Sequence, residues 1–283
     1  MTAGPRTAER RITAFMENPD APRPENPIHS TGGGQEYGFR AALVGGVTVY
    51  GWAAPAIIEA LGERWLGDGW VEVGFRRPTY PGDEMTARLI EQDGQDGQQG
   101  VFALVMTNQD EEVCLRGTAG LGDAPFLDGM VRSQRREAEP RPAELPAITL
   151  ANAPVGMDVR PQAVPISAAD ARVFAAEHEA DDHPRYRGER PLIHPGWLAA
   201  RMSPFMHHSF EYAPSIHAHS HIQHLARAEA GQTVTVAGHL VEVYERNGHH
   251  YLVADGLIIG EDGTELALVR HTTIFNVAKR GRA

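Results

Sequence analysis

Residues 41–58 form the longest stretch of the chain without a charged side chain, and most of them are apolar. A run of that length approaches the ~20 residues of a membrane-spanning helix. However, Gly45, Gly46, Thr48, Gly51 and Pro55 interrupt it, and basic or aromatic anchors do not flank both ends. The pattern therefore predicts a helix buried inside a soluble fold. Beyond it the periodicity shortens toward the strand repeat over residues 85–90, 101–107 and 113–119, with a Gly/Gln/Asp-rich hairpin loop over 92–100. Residues 234–236, 240–244, 251–254 and 267–275 read as strands in the same way. Asn247-Gly248 supplies the positive backbone angles of a hairpin turn between two of them. Ser167 followed by Asp170 reads as a helix N-cap.

These elements recur. Gly38 and Gly188, Gly82 and Gly231, and Asp110 and Asp262 stand 150, 149 and 152 residues apart in matching local contexts. Three landmarks in one order at nearly constant offset predict a tandem duplication. A period this long means two related domains rather than a solenoid. The expected division is 1–121, a Pro-rich linker at 122–161, and 162–283. A helix followed by an antiparallel meander in each copy predicts an α+β fold, with the helix covering one face of a sheet.

At 283 residues the chain can bury a sizeable core. The net charge of −11 argues against a nucleic-acid partner or an anionic membrane, both of which reward cationic surfaces. The single cysteine, Cys114, excludes an internal disulfide, fits a reducing compartment, and reads as a small buried hydrophobe on a strand. No basic segment followed by an apolar one opens the chain, so the expected location is cytoplasmic.

The segment Glu25-Asn26-Pro27-Ile28-His29, the apolar helix, Phe75-Arg76-Arg77-Pro78 and Pro81-Gly82-Asp83 follow one another in the first copy. In that order they resemble the MaoC-like acyl dehydratases and R-specific enoyl-CoA hydratases, over residues 11–275. The resemblance implies a tandem double hotdog, two antiparallel sheets each wrapping a central helix and paired edge to edge. It implies a hydro-lyase acting on an enoyl or 3-hydroxyacyl thioester of coenzyme A or acyl carrier protein. No cofactor and no metal are expected. The same fold also admits a thioesterase, a specialised lyase or cyclase of secondary metabolism, or a non-catalytic acyl-thioester-binding partner. The apolar helix faces are compatible with a homodimer.

Moving water across an enoyl thioester needs a group that transfers protons and donors that meet charge on the thioester oxygen. A histidine with a carboxylate supplies the first, and a helix start opened by glycines supplies the second. The signature aspartate of the family falls on Pro24 here. The catalytic candidates are therefore His29, with Asp20 or Glu25 as its acid, and Asp181 in the second copy. Tyr186 stands where the family has histidine, and His194 lies beside the second helix entrance. Asn26, Gly45, Gly46, Arg76, His194 and Tyr186 are the candidate substrate contacts. Arg76 and Arg77 are expected on a strand, facing opposite ways.

Of 14 histidines only His29 lies in the first copy. His217, His219 and His221 alternate, so on a regular strand they share one face. They stand widely spaced, and the nearest downstream acid, Glu229, is too distant in sequence to complete a metal-ligand set. His207-His208 and His249-His250 read as surface pairs.

Overall fold

A computed structural model describes residues 6–19, 26–92 and 100–278. Five strands come from the first half of the chain: β1 (Thr7–Thr13), β2 (Gly69–Phe75), β3 (Glu84–Glu91), β4 (Phe102–Thr107) and β5 (Val113–Leu121). The second half supplies β6 (Met157–Ile166), β7 (Ile216–His224), β8 (Gln232–Arg246), β9 (His249–Ile259) and β10 (Glu265–Asn276). They lie in the order β1-β3-β4-β5-β2-β7-β10-β9-β8-β6, all neighbours antiparallel. From each outer edge inward the wiring is identical, so the duplication inferred from the landmarks is present in the topology. The two halves meet where β2 pairs with β7, from Trp70 opposite Gln223 to Gly74 opposite His219. The two expected sheets thus join edge to edge into one.

The first central helix, α2 (Gly46–Leu61), follows the short α1 (Thr31–Glu36) and runs through the apolar stretch. Val49, Tyr50, Trp52, Ala53, Ala56, Ile57 and Ile58 are buried, because the helix is covered by β1, β3, β5 and β7 on one side. It stops at Gly62, whose φ of 80° lets its N–H bond back to Ile58 O at 2.8 Å. The short α3 (Trp65–Asp68) then leads into β2. After β6 comes α4 (Ala168–Val173), capped by Ser167 and Asp170 as expected. The second central helix is broken into α5 (Pro195–Ala200) and α6 (Met202–His207), and α5 packs directly on α2. Gly51 and Gly196 make that approach feasible: a Cβ on either would fall within 2.7 Å of the Glu179 carboxyl wedged between them.

The two edge strands escape the sequence reading. β1 carries Glu9, Arg10 and Arg11, and β6 carries Pro161 and Pro165, which a central strand would not tolerate but an outer edge does. The stretch expected to be linker accordingly ends inside a strand. The loop expected at 92–100 falls mostly outside the described residues. Residues 240–244 belong with 234–236 to the single long β8, bent by a register shift between Leu240 and Glu242. The Asn247-Gly248 hairpin forms as expected, with φ of 54° and 76°.

Candidate functional site

The candidate catalytic histidine sits in the loop that enters α2. Its short 3-10 turn, Pro27–His29, starts from Asn26. His29 Nδ1 lies 2.7 Å from Leu43 O. A carbonyl only accepts, so Nδ1 carries the proton and Nε2 keeps its lone pair. Nε2 is 3.4 Å from Asn26 Nδ2, which also donates to Ser215 O at 2.7 Å. Burial holds the imidazole below its usual 6.5, partly offset by the Leu43 bond. His29 is thus a neutral, oriented base at neutral pH.

His29 lines a half-open cavity of about 390 Å³ whose wall is mostly apolar. Gly45 is the N-cap of α2 and Gly46 its first residue, and both line the cavity beside His29. The first-turn N–H groups of a helix lack intrahelical partners and carry its positive dipole end, so this wall offers donors to a developing oxyanion. A Cβ on Gly45 would meet only Thr48 Oγ1 at 3.7 Å and His29 Cε1 at 3.8 Å. A Cβ on Gly46 would press to 3.1 Å against His217 and Phe75. The first glycine keeps the cavity open, and the second lets the two halves close on each other.

The opposite wall comes from the second half, which sequence reasoning did not assign to this site. Ser215, Ile216 and His217 enter from β7 and the residue before it, Tyr251 from β9, and Thr273 from β10. His217 Nε2 is 2.7 Å from Ser220 Oγ, its ring is 4.3 Å from that of His271, and its Nδ1 has no hydrogen-bond partner among the described residues. Burial, reinforced by His271, pushes His217 well below its usual range. The described lining therefore holds four imidazoles, His29 from the first half and His217, His249 and His271 from the second.

The three alternating histidines do not share a face. Thr272 pairs with His219 and Thr273 with His217, so Ala218 is an extra residue in β7. This bulge turns His217 inward with Ser220 and leaves His219 and His221 on the other side with Glu72. Arg76 and Arg77 also depart from expectation: β2 ends at Phe75, and both N–H groups turn toward Cys114 O just before Pro78. Both residues line the cavity mouth. Arg77 pairs with Glu112 at 3.2 Å, whereas Arg76 makes no ion pair among the described residues. Cys114 is buried on β5, as expected. His208 is buried rather than on the surface, bonded through Nε2 to Glu139 O at 2.8 Å, and His249 lines the cavity.

Asp181, Tyr186 and His194 come together, but away from this cavity, and none of them lines it. His194 caps α5 by accepting from Gly196 N at 3.0 Å, which leaves Nε2–H toward Asp181. The separation of 3.6 Å makes this an electrostatic contact rather than a hydrogen bond. Burial pushes Asp181 up, but His194, Arg10 and Arg185 outweigh it and hold the carboxyl below its usual range. Tyr186 is buried against His194 with ring centroids 5.1 Å apart, and its hydroxyl has no hydrogen-bond partner among the described residues. Burial pushes Glu179, between the helices, well above the usual carboxyl range. The second half thus closes with packed side chains the place where the first half is open. Asp20 and Glu25 lie outside the described residues.

No sequence model of a known family matches the chain, and no curated protein matches it. Solved structures do. A Chloroflexus aurantiacus protein described as a MaoC domain dehydratase is 14% identical and superposes with a TM-score of 0.65 over 99% of this chain and 97% of its own. A Mycobacterium tuberculosis protein with a double hotdog fold is 13% identical, with a TM-score of 0.58 over 85% and 84%. A Lactobacillus plantarum protein described as an oleoyl thioesterase is 11% identical, with a TM-score of 0.52 over 97% of both chains. The chain has the double-hotdog fold, shared by proteins described as dehydratases and as thioesterases. Among the described residues no helix is long and apolar enough to cross a membrane.

Proposed function

We propose that the chain is a hydro-lyase that interconverts an enoyl and a 3-hydroxyacyl thioester. The observation that carries this reading is the neutral His29, its proton committed to Leu43 O and its lone pair beside the glycine-opened start of α2. In hydration, Nε2 takes a proton from water as the oxygen bonds to C3 of the enoyl group. The π electrons move toward the thioester oxygen, whose charge is met by first-turn N–H groups of α2. The imidazolium returns the proton to C2, so one water is added and the base restored. Asn26 orients the imidazole edge. Asp20 is the proposed acid that would hold the water with His29.

The apolar cavity suits an acyl chain, and Arg76 at its mouth is the cation free to meet a phosphate of coenzyme A or of an acyl carrier protein arm. Four imidazoles in the described lining, with the His29 proton committed to Leu43 O, favour histidine-borne proton transfer over acid-directed hydrolysis. The test is purified protein against enoyl-CoA and 3-hydroxyacyl-CoA thioesters of varied length, following both the enoyl chromophore and free thiol. Interconversion without thiol release, lost in His29→Ala, supports the reading. Thiol release makes the protein a thioesterase, and unchanged turnover in His29→Ala removes His29 from the mechanism.

A further inference from the structure

We propose a transition-metal site, with zinc the expected ion, formed by Glu72 of β2 and His219 and His221 of β7. Glu72 pairs directly with His221 across the seam between the halves, and His219 lies next along the same face. Glu72 Oε1 is 3.2 Å from His219 Nε2 and 3.4 Å from His221 Nε2, and the three ligand atoms lie within 4.8 Å of one another. Tetrahedral zinc with bonds of about 2.0–2.1 Å has ligand–ligand edges of about 3.3 Å. Both carboxylate–imidazole edges already have that length, and both exceed the ~2.9 Å of an ordinary N–H···O bond.

The rings are held in this arrangement. His219 and His221 meet edge to face at 4.6 Å, Phe126 stacks on His221 at 4.4 Å, and Trp70 braces Phe126 at 5.9 Å. Arg76 beside His219 and Arg270 near His221 oppose a cation, but Arg270 is bound to Asp255 at 2.6 Å. The three side chains stay 19–43% exposed, which leaves an entry path and room for water as a further ligand. Two imidazoles and a carboxylate suit zinc, cobalt or nickel rather than calcium or magnesium, which prefer all-oxygen shells. None of the three residues lines the cavity, so the ion would staple the two halves without entering the proposed reaction.

His221 Nδ1 has no hydrogen-bond partner among the described residues, and a missing outer-shell bond weakens binding about 10–100-fold. The experiment is calorimetric titration of tag-free, chelator-treated full-length protein with Zn²⁺, repeated with Co²⁺ and read by visible absorption. The expected result is one ion per chain, a tetrahedral Co²⁺ spectrum, and a thermal midpoint that rises with Zn²⁺. Joint His219→Ala and His221→Ala substitution should abolish all three. Glu72→Gln, which preserves side-chain shape, should weaken binding at least about tenfold. Stoichiometric binding that survives the double substitution, or no binding below about 100 μM, would overturn the site.

Discussion

Replacing Gly45 with alanine separates the chemistry of the helix start from its architecture. The backbone at Gly45, φ −60° and ψ 135°, is open to any L-residue. The added methyl would make only ordinary contacts, 3.7 Å to Thr48 Oγ1 and 3.8 Å to His29 Cε1. Losing glycine at an N-cap costs under about 1 kcal/mol, and alanine recovers about 0.4–1 kcal/mol by restricting the unfolded chain. Stability should stay within about 1 kcal/mol of the parent, a midpoint change of about 2–4 °C. Yet in the proposed reaction the methyl would stand in the space an acyl oxygen would use to reach the Gly46 N–H. Removing one oxyanion donor typically costs about 10²–10³ in kcat, or about 2.7–4 kcal/mol. Enoyl-thioester turnover and calorimetric melting on the same preparation would test both halves of the reasoning. Turnover within about threefold of the parent would refute the helix start as the oxyanion site. A large drop in the melting midpoint would instead refute the open-space reading of Gly45.

Three further outcomes follow from the same structure. Because the proposed reaction uses His29 deprotonated and burial lowers it, kcat/KM should rise as pH climbs toward the free-imidazole value of 6.5 and be level above it; a rise centred above pH 7 would contradict this. His224 and His271 are buried and held down to about 4, so the unfolded chain binds more protons than the fold between that value and 6.5. Their stabilising effect is complete above 6.5 and is lost as pH falls toward 4, by about 3 kcal/mol each, and His271→Leu should flatten the slope measured by denaturant unfolding from pH 7 to 5. Gly51→Ala, which in an isolated helix would gain about 1 kcal/mol, should cost about 2–4 kcal/mol because its Cβ would lie 2.1 Å from Glu179 Oε2. Adding Glu179→Ala should recover most of that loss, and an additive double variant would place the clash elsewhere.

The local rules in the chain were readable wherever one residue type has one dominant use. Asn247-Gly248 marked its hairpin, Ser167 with Asp170 marked its helix start, and glycines 45 and 46 marked the start of α2. The edge strands were not readable, because β1 is charged and β6 contains two prolines, features that also describe loops. Nor was the bulge at Ala218, since an extra residue leaves the alternation of His217, His219 and His221 unchanged in sequence while reversing the face of one of them.

By itself the sequence determined the α+β class, the duplication, the buried central helix and the segment that carries His29, because each depends on periodicity or on residues near in sequence. The tertiary structure alone decided which groups meet. It brought His217 of the second half opposite His29 of the first, set Glu72 against two histidines about 150 residues away, and sealed Asp181, His194 and Tyr186 in a packed interior. The first two meetings follow from one inter-half pairing, β2 on β7, which sets residues of the two halves side by side in a shared sheet.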